Sequence, residues 1–154
     1  MRAAPRTDGE AGPGAPPPDD GETVADPWKG IEMAVTLRIE IFSDDLDSLV
    51  DFYTRVLRFR LDRDERAGSP GYVALSRGTV RIGAAERRQV EHLDGRRPPA
   101  GTEIVLEVDD VRAELAAVQA AGWPLEEGLQ DRHWGLADFR LLDPAGYYLR
   151  ITHR

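Results

Sequence analysis

The chain has 154 residues, 41% hydrophobic and 31% charged, the length and balance of one globular domain rather than of several independent cores. It has no cysteine, which excludes disulfides, thiolate metal sites and a cysteine nucleophile, and leaves three histidines and 28 carboxylates as the candidate metal ligands. A net charge of −8 argues against nonspecific nucleic-acid binding, and no apolar run approaches the roughly 20 residues of a membrane span.

Residues 1–27 hold six of the 11 prolines, four glycines and six acids against two arginines. Such a segment buries too little to offset its ordering entropy, so it reads as a disordered acidic tail. Its net charge of −4 is half that of the chain. Met1 to Asp26 has no apolar h-region, so export is not expected and a cytoplasmic location is. Trp28 and Ile31 open the apolar material, and a single folded domain is expected over residues 33–153.

From Val35 the pattern alternates, with Val35, Leu37, Ile39 and Ile41 on one side and Thr36, Arg38, Glu40 and Phe42 on the other, as in a half-buried strand. Asp44 or Asp45 can cap a helix whose apolar positions Leu46, Leu49, Val50, Tyr53, Val56 and Leu57 recur every three or four residues, to about Arg58. A short strand at Phe59 to Leu61 is expected next. Tyr72 to Ser76 and Thr79 to Ala84 then flank an Arg77-Gly78 turn as a hairpin.

The same order restarts after the polar stretch Arg87 to Gly101, in which His92 reads as solvated. Glu103 to Val108 forms a strand and Asp109 or Asp110 a cap. Val111, Leu115 and Val118 then stripe a helix that Gly122 stops. The two units keep a constant numbering offset, the same from Ile39 to Ile104, from Asp45 to Asp110 and from Val50 to Leu115. Phe139 to Leu142, the Asp143-Pro144-Ala145-Gly146 turn and Tyr147 to Thr152 complete the second unit, where Arg150 answers Arg81. Two modules result, at about 33–86 and 102–153.

These motifs, namely Asp45-Leu46 with Phe52-Tyr53 and Val56-Leu57, Glu107-Val108-Asp109-Asp110-Val111, and Asp143 to Gly146, resemble the vicinal oxygen chelate superfamily. That superfamily groups glyoxalase I, bleomycin-resistance proteins and extradiol dioxygenases. The resemblance runs from about Val35 to Ile151. It implies an α+β fold of two βαβββ modules, an incompletely closed mixed barrel around a cup, and a homodimer. Period-two alternation places Arg38, Glu40 and Phe42, Thr79 and Arg81, Glu103, Val105 and Glu107, and Tyr148, Arg150 and Thr152 on the cup side.

In metal-using members, His, Gln or Glu on the first and last strand of each module binds a divalent ion. Those positions match Arg38, Arg81 (to within a residue or two), Glu103 and Arg150 here. Only Glu103 has a lone pair to offer. At about 4 Å each guanidinium repels a unit cation by roughly 4 kcal/mol at an effective dielectric near 20. An inherited metal site is therefore not expected, although Glu40, Glu107 or His133 leaves room for a divalent ion elsewhere. The departure fits the bleomycin-resistance branch, which His133-Trp134-Gly135 and Tyr148-Leu149-Arg150-Ile151 also resemble.

The leading expectation is metal-independent binding of a small organic ligand, with sequestration of an antibiotic or metabolite and no cofactor. Arg38, Glu40, Phe42, Arg81, Glu103, Glu107, Trp134, Tyr148 and Arg150 are the candidate contacts, unless the arginines and glutamates satisfy one another. Trp123 and Tyr53 are expected in the core, and His153 at the chain end has no assigned role. The alternative is an enzyme, a lyase, isomerase or dioxygenase with a relocated metal or a metal-free catalyst using Glu103 or Glu40 as base. His133 is then the histidine to test for proton transfer. A third reading is a non-catalytic interaction module.

Overall fold

The computed structural model describes residues 36–87, 97–98 and 100–153. The acidic tail, the expected start near Met33 and His92 lie outside the described residues. Module 1 comprises β1 (Ile39–Ser43), α1 (Leu46–Asp51), β2 (Arg60–Glu65), β3 (Tyr72–Arg77) and β4 (Val80–Glu86). Module 2 comprises β5 (Ile104–Val108), α2 (Val111–Ala120), β6 (Glu127–Asp131), β7 (Ala137–Leu142) and β8 (Tyr148–His153). The strands form two four-stranded mixed sheets, ordered β1-β4-β3-β2 and β5-β8-β7-β6, which are not closed into a barrel. In each, the first strand runs parallel to the last and the rest is antiparallel.

The offset that takes Ile39 to Ile104 governs β1 and β5 and the starts of both helices. It also reproduces the caps. Asp45 has φ −139° and ψ 96° and accepts from Ser48 N; Asp110 has φ −136° and ψ 96° and accepts from Arg112 N and Ala113 N. Asp110→Ala is expected to cost about 1 kcal/mol of stability, measured by urea unfolding, because two donors of the first turn lose their acceptor.

Two local expectations change. The first helix does not stay α-helical to Arg58 but passes at Phe52–Val56 into a π-helical turn. Thr54 Oγ1 donates to Val50 O at 2.6 Å, taking the carbonyl that the Thr54 N–H of an α-helix would use. The wider turn lets the adjacent Phe52 and Tyr53 both point inward, each 0% exposed. The second change is β2, which extends to Glu65 instead of ending near Leu61, with an irregularity between Leu61 and Arg63. Its polar side chains pair with one another (Arg60 with Asp62, Arg63 with Glu65), which hides the strand from a search for apolar residues.

The helix-covered faces of both sheets merge into one apolar core, including Ile41, Leu49 and Ile82 from module 1 and Val118, Phe139 and Ile151 from module 2. Contacts between modules lie on this side. The Phe52 and Trp123 rings are 4.6 Å apart, Trp123 Nε1 donates to Leu142 O, and Tyr53 Oη donates to Asp143 Oδ2 at 3.0 Å. Glu114 of α2, side chain 4% exposed, receives Arg77 through both oxygens (2.6 and 2.9 Å) and Arg58 at 2.8 Å. No helix among the described residues is long and apolar enough to cross a membrane.

Candidate ligand-binding site

The sheet faces turned away from the core carry the polar side chains, and register fixes their rows. On sheet 1 one row runs Glu40, Gly83, Ala74, Arg63 and the next Phe42, Ala85, Tyr72, Glu65; in the row beyond, Arg81 pairs with Ser76 and Ser76 with Arg60. The central strands β3 and β4 thus present the small residues Ser76, Ala74, Gly83 and Ala85 together with Tyr72 and Arg81, and Gly83 is buried beneath the Glu40 and Tyr72 side chains. Larger side chains from β1 and β2 rise on either side. A cavity of about 920 Å³, open to solvent, lies to one side, lined by Arg38, Arg63, Glu65, Tyr72 and residues 67–70 and by none of these four small residues.

Sheet 2 differs at the same places. The row equivalent to Glu40, Gly83, Ala74 and Arg63 is Val105, Arg150, Arg140 and Glu127. Two arginines stand where sheet 1 has glycine and alanine, and neighbouring carboxylates neutralise them. Arg140 Nε donates to Glu103 Oε1 at 2.8 Å, and its Nη1 reaches Glu127 and Asp138. Arg132 donates to Asp138 (2.9 and 2.7 Å) and to Glu127 (2.6 Å). Arg150 Nε lies 3.5 Å from Glu103 Oε2. These contacts hold Arg140 above its ordinary basicity, Glu103 contributing most, and Glu127 below the usual carboxylate range, Arg132 contributing most. The face is occupied by its own ion pairs.

The expected site residues therefore fall into separate groups. Glu40, Phe42 and Arg81 belong to sheet 1, with Arg38 just before β1; Glu107, Tyr148 and Arg150 belong to sheet 2, with Glu103 just before β5. No ion pair among the described residues joins these two groups. Arg38 lies 2.5 Å from Glu40, whereas Glu103 serves Arg140 and Arg150. Register also puts Gly83, not Arg81, at the place of Arg150, because Glu40 faces Gly83 across β1 and β4 as Val105 faces Arg150 across β5 and β8. Arg81 donates to Thr36 Oγ1 at 2.6 Å and pairs with no carboxylate among the described residues.

His133 and Trp134 stand at the β6–β7 turn, edge to face with ring centroids 4.6 Å apart. Trp134 is 51% exposed beside the Arg132 guanidinium. His153 accepts from Ala137 N through Nε2 at 3.0 Å. Asp138, Arg140 and Arg132 escaped the sequence reading. The first two were visible as the residues alternating with Ala137, Phe139 and Leu141, whereas Arg132, outside any periodic element, gave no signal.

The fold family's divalent ion has no matching donor set here. Arginine or glycine occupies three of the four positions, and Glu103, the fourth, is taken by two guanidiniums. Among the described residues no three His, Asp or Glu side chains gather to hold an ion.

Comparison with known proteins agrees with this architecture. Residues 36–151 match the model of the Glyoxalase/Bleomycin resistance protein/Dioxygenase superfamily. Among solved structures, TioX from Micromonospora sp. ML1 is 23% identical with a TM-score of 0.66, over 78% of this chain and 98% of that one. A superfamily enzyme from Burkholderia phytofirmans PsJN is 23% identical (TM-score 0.61; 75% and 95% covered). Lactoylglutathione lyase from Agrobacterium tumefaciens is 18% identical (TM-score 0.60; 79% and 95% covered). No curated protein matches the sequence. By its matched residues, its duplicated βαβββ units and its pair of open mixed sheets, the chain belongs to the Glyoxalase/Bleomycin resistance protein/Dioxygenase superfamily.

Proposed function

We propose that the protein is a metal-independent small-molecule binder of the bleomycin-resistance type, seating a flat organic anion on the outer face of sheet 1 and sequestering an antibiotic or metabolite. The observation that carries this reading is the contrast between the faces. Sheet 2 is filled by compensated charges, while sheet 1 carries Arg81, with no carboxylate partner among the described residues, beside the small residues Ser76, Ala74 and Ala85. An aromatic plane can pack against Ala74, Ala85 and Ser76, and a guanidinium takes a carboxylate through paired hydrogen bonds. We infer a homodimer as well, since both polar faces lie outside the shared core and a second copy can cover them.

The test is calorimetric titration of chelator-treated protein with aromatic carboxylates and their neutral amides. Saturable binding of the carboxylates is expected, with stabilisation of about 2.7 kcal/mol at 100 times Kd. Arg81→Gln is expected to weaken it about 10- to 100-fold, the range of a charge-assisted hydrogen bond. Binding that appears only with an added divalent metal, or that ignores Arg81→Gln, overturns the reading.

A further inference from the structure

The register that sets Ile39 opposite Ile82 brings Arg38, the residue before β1, alongside Arg81 of β4. Both side chains are exposed on the outer face, as alternation with the inward Ile39 and Ile82 requires. Neighbouring strands lie about 5 Å apart, and like charges set directly across from one another are destabilising. One carboxylate serves the two. Arg38 Nη2 lies 2.5 Å from Glu40 Oε1, while Arg81 turns the opposite way along the strand and donates to the neutral Thr36 hydroxyl. The strands beyond supply no further charge to them, since Arg81 faces Ser76 and Ser76 faces Arg60, which Asp62 neutralises. Two neighbouring guanidiniums thus share a single negative charge. Arg38 also lines the open cavity of about 920 Å³ beside Tyr72, so the space next to the pair has room for the organic part of a ligand.

We infer that Arg38 and Arg81 together clamp one doubly charged oxyanion, and that the ligand is a phosphate monoester of a flat aromatic compound. This rests on the proposed binding function and specifies its anionic group. A phosphate carries close to two negative charges and three acceptor oxygens, enough for both guanidiniums. Placed between them, it gives each a charge-assisted partner and removes their repulsion. A carboxylate satisfies Arg81 and leaves Arg38 to Glu40.

The probes are phenyl phosphate, phenyl sulfate and benzoate, titrated calorimetrically against the full chain at about pH 8, where the phosphate ester is a dianion and the other two are monoanions. Phenyl phosphate is expected to bind about 10-fold or more tightly than either, the sulfate controlling for tetrahedral shape. Replacing the pair together, Arg38→Gln with Glu40→Gln, leaves the net charge of the face unchanged. This double variant is expected to bring phenyl phosphate to within about 2-fold of benzoate, whose own affinity, held by Arg81, stays within a similar margin. A thermal midpoint matching the parent's shows that the variant is folded, and the comparison of the three ligands on the parent chain needs no variant. Equal binding of phosphate and benzoate by the parent overturns this inference and leaves the binding function standing; a phosphate preference that survives the double change overturns it too. Absence of binding by all three ligands overturns both.

Discussion

Replacing Glu114 by alanine is expected to lower the stability of the folded chain by about 2–3 kcal/mol, a fall in Tm of about 10 °C by calorimetry. Glu114 is 3% exposed and neutralises two guanidiniums from the other module. Without it, Arg77 keeps its hydrogen bond to Leu57 O, and Arg77 and Arg58 retain charge beside an apolar core. The expected cost lies below the roughly 3–5 kcal/mol typical of a fully buried broken pair, because both side chains reach water. Glu114→Gln, which keeps one acceptor, should fall between parent and alanine variant. The double change Glu114→Leu with Arg77→Met should recover much of the loss. If Glu114→Ala and the parent unfold together, the ion-pair cluster does not join the modules energetically.

The second large effect is expected at Asp143. This carboxylate is 4% exposed, accepts from Ala145 N and Tyr147 N through Oδ1 and receives the Tyr53 hydroxyl at Oδ2. Asp143→Ala strands three donors, one of them on a wholly buried ring, and is expected to cost about 3 kcal/mol in urea unfolding. Tyr53→Phe removes one donor and should cost about 1–2 kcal/mol.

The pair also predicts a pH dependence. Burial first, and then the Asp143 charge, hold the Tyr53 hydroxyl well above the ordinary phenol value near 10. Below pH 10 the folded and unfolded chains both keep that proton. Above it, the unfolded chain releases the proton while the folded chain retains it, so stability falls by about 1.4 kcal/mol per pH unit. The gap between parent and Tyr53→Phe should therefore narrow from pH 10 to 11. A constant gap would mean that Tyr53 titrates alike in both states.

Much of the frame was legible because period and offset are properties of the chain itself. Ile39 and Ile41 alternate as a strand must, and Asp45 and Asp110 repeat one capping geometry at equivalent places in the two modules. The same offset carries further information. It takes Leu49, a fully buried position, to Glu114, which also lies on the Val111, Leu115, Val118 stripe, so a core location for Glu114 could have been read directly. The π-helical turn and the left-handed Arg58, at φ 57°, were not legible. Nothing in these residue types demands them; they follow from packing both Phe52 and Tyr53 inward.

The candidate site was legible in composition but not in arrangement. Alternation identified which side chains face outward, and the possibility that arginines and glutamates satisfy one another describes sheet 2 and, on sheet 1, Arg38 with Glu40. Which residues share a row depends on strand register, and the slip from Arg81 to Gly83 preserves the face while changing the neighbour. The position of Gly83 beneath Glu40 and Tyr72 needed coordinates.

The unequal outer faces of the two sheets bear on how this chain tolerates change over time. The Arg132, Arg140, Glu103 and Asp138 lattice ties several side chains to common partners, so replacing any one strands the others, and that half should drift slowly. Ala74 and Ala85 bear no such mutual obligations. A lineage can exchange them one at a time and alter the surface of that sheet while the rest of the molecule stands still.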